Sequence, residues 1–386
     1  MNLMSDTMTG GEPIASHCSL DPGKDHDPHA TRFGKFLQAT IKFGGSDLIL
    51  KTGMAPKIRI RGGLKPLDTD PISNDEFLDI AKHILTEDQF ADLHKFGSVD
   101  FAYDYDEGNR FRINLFQARG KLSCAARLIT SEILPFEGLN LPGSMREIAT
   151  QPQGIVLLAG VTGSGKSTTI ASMIDYINAQ KSVHIVTLED PIEFIFTDKK
   201  AMVNQREIGI DVLDFKTGLR ALVRENPDVV LIGEMRDSET FEAALHAAET
   251  GHLVFGTIHA SSATETFSRI YDLFEHAERE QVRKIMAQQM RAIVYQKLLP
   301  TLHKDIPRIP ALEILINSAP VRKYIQEGRE SDLRELLVTQ EAEQLGMIDF
   351  NGSLVKLVEQ EFIHTRVAME ATPNADELSM RLKGIG

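Results

Sequence analysis

The sequence predicts an α/β protein with two domains, a small α+β domain followed by a larger domain built on a parallel sheet. From residue 155 to residue 258, continuous apolar runs alternate with helical patterns, which is typical of parallel strands covered by helices on both faces. A glycine-rich segment connects the first of these strands to the helix that follows it. Before this region, residues 99–128 hold three segments that indicate antiparallel strands.

Length, charge and cysteine content limit the classes of protein to consider. With 386 residues the chain is long enough for two or three domains, each with its own core. A formal net charge of −13 disfavours a general nucleic-acid binder, because neutralising phosphates requires a surplus of Lys and Arg. The two cysteines, Cys18 and Cys124, are too few for a disulfide framework or a Cys₄ zinc site within one chain.

The sequence also lacks membrane-directing features. It has neither an apolar run of membrane-spanning length nor the apolar core of a signal peptide at its N-terminus. We therefore expect a cytoplasmic protein without a direct membrane span, whose contact with a membrane goes through a partner. We expect no nucleic-acid partner.

Composition and periodicity divide the chain into four segments. Residues 1–31 are rich in Gly, Pro, Asp, Ser and His and predict a disordered tail. The alternative for this tail is a metal site with the ligands His17, Cys18, His26 and His29. Residues 32–132 predict the α+β domain, and residues 133–145 contain Pro and Gly at the density of a linker. Residues 146–386 predict the larger domain with its C-terminal helices.

From Phe267 onward the chain is predicted to be mostly amphipathic helix. One apolar stripe at helical spacing contains Ile285, Met286, Met290, Ile293, Val294 and Leu298. We interpret this stripe as core and not as a cofactor site or a methionine-rich binding surface.

The segment from Gly160 to Ser167 fits the pattern G-x-x-x-x-G-K-[ST] of phosphate-binding loops. In such loops glycines let backbone N–H groups converge on phosphate oxygens, and the helix N-terminus adds partial positive charge. Lys166 can reach the β- and γ-phosphates, and the Ser167 hydroxyl can bind Mg²⁺. The predicted nucleotide-binding residues of this segment are Gly160, Val161, Thr162, Gly163, Ser164, Gly165, Lys166, Ser167 and Thr168.

Polar side chains follow the carboxyl ends of the predicted parallel strands, where ligands bind on such sheets. Glu234 follows one strand, and its carboxylate can hold Mg²⁺ or its water ligands. Glu189 and Glu193 follow another strand and are candidates to orient or deprotonate the attacking water. His259 ends a third strand, where it can hydrogen-bond the γ-phosphate. His252 begins that strand, and both a functional and a structural role stay open for it.

The first domain carries four arginines on or beside its predicted strands, namely Arg110, Arg112, Arg119 and Arg127. The residue pattern alone favours solvated strand edges, which arginine often occupies. The alternative is that some of these arginines contact the γ-phosphate as arginine fingers.

Four motifs in order resemble those of the secretion-type hexameric ATPases, and most closely those of the type IV pilus retraction ATPases. They are the phosphate-binding loop, the Asp box from Glu189 to Glu193, the Walker B stretch from Arg224 to Asp237, and the His box from Thr250 to His259. The resemblance implies a RecA-like P-loop ATPase domain preceded by a PAS-like α+β domain, with ATP and Mg²⁺ as cofactors. It also implies a homo-hexamer that acts on the pilus machinery at the inner membrane through a membrane platform protein.

The resemblance further implies catalytic roles for Glu193, Glu234, His259, Arg112 and Arg127. Glu193, which closes the Asp box, is the implied catalytic base, Glu234 serves the metal, and His252 joins His259 in the His box. Arg112 and Arg127 are implied to contact the nucleotide phosphates, which reverses the interpretation from residue pattern. The roles of Arg110 and Arg119 stay open.

Two features favour retraction over related activities. Extension and type II secretion ATPases usually carry a tetracysteine zinc module, which two cysteines exclude. The stretch from Ala319 to Glu327 is similar to a segment characteristic of retraction ATPases, with departures at Lys323, Tyr324 and Gln326. The alternatives are an extension or type II secretion ATPase, an accessory retraction paralogue, a regulatory nucleotide-binding protein and a DNA-translocating RecA-fold motor.

Overall fold

A computed structural model describes residues 31–60, 62–106, 108–129, 132–222 and 224–384. The predicted disordered tail and its four candidate metal ligands lie outside these residues, except for Thr31, which caps the first helix. The chain divides into two compact units, the first ending at Leu128 and the second beginning at Ile129. Within the described ranges, none of the helices combines the length and apolar character that crossing a membrane requires.

The first unit combines helices with a six-stranded sheet of order β3-β2-β1-β6-β5-β4. Its elements are α1 (Arg32–Lys42), β1 (Asp47–Lys51), β2 (Lys57–Ile60), β3 (Gly63–Pro66), α2 (Asn74–Ile84), α3 (Glu87–Phe96), β4 (Ser98–Asp106), β5 (Asn109–Ala118) and β6 (Lys121–Ile129). The Ser73 side chain caps α2 by accepting a hydrogen bond from the Glu76 N–H. Along β5, buried Phe111 and Ile113 flank Arg112, which is exposed.

The second unit holds the remaining elements, beginning with a short helix before the first strand of its sheet. They are α4 (Ser144–Ala149), β7 (Gly154–Ala159), α5 (Lys166–Gln180), β8 (His184–Glu189), β9 (Met202–Glu207), α6 (Phe215–Leu222), β10 (Val229–Ile232), α7 (Ser238–Glu249), β11 (Leu253–Ile258), α8 (Ala263–Asp272), α9 (Arg279–Gln289), β12 (Met290–Pro300), β13 (Arg308–Ile316), α10 (Ala319–Gln326), α11 (Leu333–Leu337), α12 (Gln340–Gln344), α13 (Phe350–Glu359), α14 (Thr365–Ala371) and α15 (Ala375–Leu382).

The sheet of the second unit has the strand order β13-β12-β7-β11-β10-β8-β9. Its neighbouring strands are parallel except for β12 and β13, which are antiparallel. Along β7, Ile155 and Leu157 belong to one apolar core and Val156 and Leu158 to another. Because neighbouring residues of a strand face opposite sides, the sheet is covered on both faces. The predicted α/β fold class is confirmed.

The prediction of a mostly helical chain after Phe267 is wrong for two segments. Met290–Pro300 forms β12 and Arg308–Ile316 forms β13. The predicted helical stripe breaks here, since Ile285 and Met286 lie on α9 while its later members lie on β12. Both strands are buried on both faces over most of their length, and a continuous apolar run does not distinguish a strand from a helix. The strand β9 is also absent from the sequence prediction.

The segment of residues 133–145, for which the sequence predicts a linker, contributes side chains to the second unit. Phe136 and Leu141 are buried in the same apolar core as Met145. The Phe136 ring also contacts the Tyr176 ring of α5, with centroids 5.3 Å apart. These residues therefore help to fix the helix that follows the phosphate-binding loop.

Candidate nucleotide site

The phosphate-binding loop joins β7 to α5 and adopts a conformation that only glycine permits at two positions. Gly165 has a φ of 87° and directly precedes Lys166, the first residue of α5. A Cβ atom on Gly165 would lie 2.6 Å from Nε2 of Gln296, and one on Gly160 would lie 2.5 Å from the main-chain O of Gln296. Both distances are too short for any side chain, so the loop lies tightly against β12.

The Lys166 side chain is folded against this loop. Its Nζ donates hydrogen bonds to the main-chain O of Gly160 at 2.7 Å and of Val161 at 3.2 Å. Burial lowers the pKa of Lys166, and the negative charges of Glu234 and Glu193 oppose that shift. The ammonium group therefore lies at the loop that is predicted to surround the phosphates, as its motif requires.

Glu234 follows β10 and is held by two basic side chains. Arg236 Nη2 donates a hydrogen bond to Glu234 Oε2 at 2.5 Å, and His259 Nε2 lies 3.0 Å from Glu234 Oε1. The hydrogen bond from Arg236 is the main reason why the pKa of Glu234 lies below its ordinary value. The carboxylate is thus ionised at neutral pH, and His259 at the end of β11 is its direct neighbour.

The two glutamates of the Asp box have different surroundings. Glu189 is buried, and its Oε1 accepts hydrogen bonds from Thr187 Oγ1 at 2.7 Å and from Gln205 Nε2 at 3.3 Å. Burial raises the pKa of Glu189 to about 7 despite these hydrogen bonds. Glu193 is exposed, so water reaches its carboxylate. This difference supports the prediction that Glu193, and not Glu189, is the base.

Burial of Glu189 predicts a stability that depends on pH. Between the ordinary pKa of 4.5 and about 7, the folded protein binds more protons at Glu189 than the unfolded chain does, so the free energy of unfolding falls as the pH rises. Above this range the buried charge costs on the order of 3 kcal/mol. Glu189→Gln cannot ionise, and we expect its melting temperature relative to wild type to rise between about pH 5 and about pH 8. If the difference in melting temperature between Glu189→Gln and wild type stays constant over this range, Glu189 does not have the raised pKa of a buried carboxyl group.

A cavity of about 530 Å³, here named the strand-end cavity, lies at the carboxyl ends of these strands. Its lining contains most of the predicted site residues, namely Thr162, Gly163, Ser164, Gly165, Lys166, Ser167, Thr168, Glu189, Glu193, Glu234 and His259. All four sequence motifs thus reach one cavity, as expected for a parallel sheet whose ligands bind at its carboxyl edge.

Three predicted site residues of the second unit are not part of this lining. Gly160 and Val161 contact Lys166 through their main-chain oxygens. His252 precedes β11, at the opposite end of the strand from His259. Its Nδ1 lies 2.9 Å from the main-chain O of Ala247, a contact that fixes the turn before the strand. The predicted part of His252 in nucleotide binding stays a prediction.

The two predicted arginine fingers lie in the first unit, whereas every residue that lines the strand-end cavity lies in the second. Arg112 is exposed on β5. Arg127 Nε on β6 donates a hydrogen bond to Asp47 Oδ1 at 2.9 Å, and the Arg127 side chain is 71% exposed. Burial raises the pKa of Asp47, but hydrogen bonds from Ser46 and Arg127 outweigh this and hold it below its ordinary value. The phosphate contacts of both arginines stay predictions.

The cavity also contains residues that the sequence reasoning did not identify. Leu298 of β12 lines it, so the interpretation of the whole stripe as core and not as a cofactor site is wrong for this residue. Arg308 of β13 and the aromatic residues Phe194, Phe196 and Phe215 also line it. The two strand residues carried no usable signal, because the sequence predicted helix where β12 and β13 form. Apolar and basic side chains beside a phosphate-binding loop suit the base and the phosphates of a nucleotide.

The residues of the cavity fit a nucleotide and a magnesium ion. Ser164 Oγ is buried without a hydrogen-bond partner among the described residues, so the loop itself holds a polar atom that is free to bind. Mg²⁺ prefers oxygen ligands and is usually bound by one or two carboxylates together with substrate phosphates. The hydroxyl of Ser167 and the carboxylate of Glu234, which both line the cavity, supply oxygen ligands of this kind.

Comparison with known proteins agrees with this geometry. Residues 139–362 match the family described as "Type II/IV secretion system protein". The chain belongs to this family. This membership confirms the resemblance stated from the four motifs.

Individual members of this family are similar to the chain over most of its length. The "Type IV pilus retractation ATPase PilT" of Pseudomonas aeruginosa is 37% identical over 87% of the chain and 96% of its own length. The "Twitching motility protein" of Neisseria gonorrhoeae is 39% identical over 84% of the chain and 86% of its own length. A solved structure of the "Pilus Retraction Motor PilT and Bound ADP" has a TM-score of 0.84 and 41% identity, and covers 90% of this chain and 99% of that one.

Proposed function

We propose that this protein is a Mg²⁺-dependent ATPase whose hydrolysis cycle powers retraction of the type IV pilus. The observation that carries the proposal is the convergence of four motifs on the strand-end cavity in a member of this family. Relatives named for pilus retraction and twitching motility, each similar over more than four fifths of the chain, support the choice of pilus retraction.

In this proposal each group of the cavity has one task. Lys166 leaves the loop carbonyls and binds the β- and γ-phosphates, while Ser167 and Glu234 hold Mg²⁺, which supplies charge neutralisation on the phosphates. Glu193 accepts a proton from the attacking water. His259, through its contact with Glu234, responds to the γ-phosphate.

The proposed assembly is a homo-hexamer in the cytoplasm, associated peripherally with the inner membrane. It would act on the pilus machinery through a membrane platform protein, as the resemblance to type IV pilus retraction ATPases implies. Relative movement of the two units during hydrolysis would supply the mechanical work.

Two experiments test this function against its alternatives. ATPase activity should be unchanged by single-stranded DNA, whereas a DNA-translocating motor would be stimulated by it. Deletion of the gene should leave cells with more pili that fail to retract; loss of pili would instead indicate an extension ATPase. Hydrolysis that is absent under all conditions would indicate a regulatory nucleotide-binding protein, an alternative that the carboxylates Glu193 and Glu234 disfavour.

Arg127→Ala is expected to reduce turnover more than it weakens ATP binding. A finger arginine contributes roughly 10³-fold or more to phosphoryl transfer by placing positive charge on the γ-phosphate. The Arg127 side chain is largely exposed, and Asp47 keeps a second partner because Arg59 Nε lies 3.3 Å from its Oδ2. The fold should therefore survive, which thermal melting would check alongside turnover and nucleotide affinity.

Arg59→Ala is the matched control, since it removes the other basic partner of Asp47 but no predicted phosphate contact. It should leave turnover close to that of wild type. If the finger acts only in an assembled ring, hydrolysis per subunit should also rise with protein concentration. A dilute monomer that hydrolyses ATP as fast per subunit as the assembled form rules out a site completed by assembly.

A further inference from the structure

We propose that Gln296 is a positioning residue of the nucleotide site, which fixes the orientation of one peptide group in the phosphate-binding loop. Gln296 lies on β12, and only 2% of its surface is exposed. Its Nε2 donates a hydrogen bond to the main-chain O of Ser164 at 2.8 Å, and its Oε1 accepts one from Thr169 Oγ1 at 2.8 Å. The inference rests on the proposed function only in requiring that the loop binds a nucleotide.

The contact with Ser164 determines where the next N–H group points. The carbonyl of Ser164 and the N–H of Gly165 belong to one planar trans peptide, in which these two groups point in opposite directions. Because Gln296 holds the carbonyl, the N–H of Gly165 is directed away from the Gln296 side chain. Gly165 lines the strand-end cavity, and loops of this kind bind phosphate oxygens through such N–H groups.

Thr169 determines which end of the Gln296 amide faces the loop. A side-chain amide has one acceptor end and one donor end, and only the donor end can hold a carbonyl oxygen. The Thr169 hydroxyl donates to Oε1 and thereby leaves Nε2 for Ser164. Thr169 lies in the first turn of α5, so the loop and its helix are both tied to β12 through one side chain.

Close packing between the loop and β12 means that few other side chains could replace Gln296. A Cβ atom added to Gly160 or Gly165 would lie too close to Gln296, so there is no space for an added atom between the loop and β12. A shorter or differently shaped side chain would leave the Ser164 carbonyl unsatisfied in a buried position, which is costly unless the peptide rotates. Rotation would turn a carbonyl oxygen towards the negatively charged phosphates in place of the Gly165 N–H.

The test compares MgADP binding and ATP turnover of wild type and Gln296→Met, a variant of similar length without polar groups. The lost N–H contact with a charged phosphate should raise the Kd of MgADP by roughly tenfold in calorimetry. A phosphate contact that is equally strong in the ground state and the transition state affects KM and not kcat when it is lost. We therefore expect kcat at saturating ATP to fall by less than about threefold. A Kd within about twofold of wild type overturns the proposal.

Two further variants keep the result decisive. Ser353→Ala removes the buried hydrogen bond, 3.0 Å long, that the Leu312 N–H of β13 donates to Ser353 Oγ. It therefore perturbs the antiparallel pair of β12 and β13 without changing a contact of the loop. It should lower the melting temperature and leave the Kd unchanged; an equal rise in Kd for this control overturns the positioning role.

Thr169→Val is nearly isosteric and serves if Gln296→Met does not fold. Without the hydroxyl that orients the amide, the Kd of MgADP should rise by about threefold. An unchanged Kd for Thr169→Val contradicts the proposal. Failure of the wild-type protein to bind MgADP would instead count against the proposed function, so the two failures are distinguishable.

Discussion

Lys166→Ala is expected to abolish ATP hydrolysis, with a loss of at least about 10²-fold, in a protein that still folds. The lysine offsets the negative charge of the phosphates, and no other side chain in the phosphate-binding loop carries a positive charge. Its hydrogen bonds in the structure go to two loop carbonyls, Gly160 and Val161, so its removal leaves the apolar cores intact. Phosphate release and thermal melting of the purified variant measure the two effects separately.

Lys199→Ala is the matched control for this loss of positive charge. Lys199 also lies in the second unit, where its Nζ bonds Asp175 Oδ1 at 2.7 Å on the surface. This variant should hydrolyse ATP at nearly the wild-type rate. Hydrolysis near the wild-type rate by Lys166→Ala itself would mean that the loop does not bind the nucleotide as proposed.

Glu193→Gln should bind ATP and yet turn it over at least roughly 10²-fold more slowly. The substitution keeps the size of the side chain and removes only its charge and basicity. Glu193 is exposed and lines the strand-end cavity, which allows its carboxylate to meet the attacking water. Single-turnover hydrolysis together with nucleotide titration separates the chemical step from binding.

The comparison with Glu189→Gln decides which glutamate acts as the base. Glu189 is buried and bonded to Thr187 and Gln205, so its replacement should affect stability more than the chemical step. If Glu193→Gln turns over within a factor of about two of wild type, the base is Glu189 or another residue.

The parts of the fold and site that the sequence predicts correctly are those with strong local signals. The strands β7, β8, β10 and β11 are short apolar runs bounded by turns, and residues that line the strand-end cavity lie at or soon after the carboxyl end of each. The carboxyl ends of parallel strands share one edge of the sheet. Once each strand is assigned from its own residues, Lys166, Glu234 and His259 are therefore predicted to lie close together. The side chains that these strands carry to the cavity were therefore predictable.

Features that depend on distant parts of the chain were not predictable in the same way. Gln296 lies between Tyr295 and Lys297 in a segment without a motif, and its contacts with Ser164 and Thr169 arise only once β12 pairs with β7. Arg308 reaches the cavity only because β13 returns antiparallel to β12. The pairing of Arg127 with Asp47 likewise joins β6 to β1 and has no local pattern.

During synthesis of the chain, the strand that supports the phosphate-binding loop is made long after the loop itself. The loop follows β7, whose two neighbours in the sheet are β11 and β12, and Gln296 lies 132 positions beyond Ser164. At a translation rate of roughly 5–20 residues per second, the loop waits on the order of ten seconds for the strand that supports it. A nascent chain that ends before β12 carries every residue of the loop without its neighbour on one side. Such a chain lacks the contact of Gln296 with Ser164, so we expect it to bind nucleotide more weakly than a chain that includes β12.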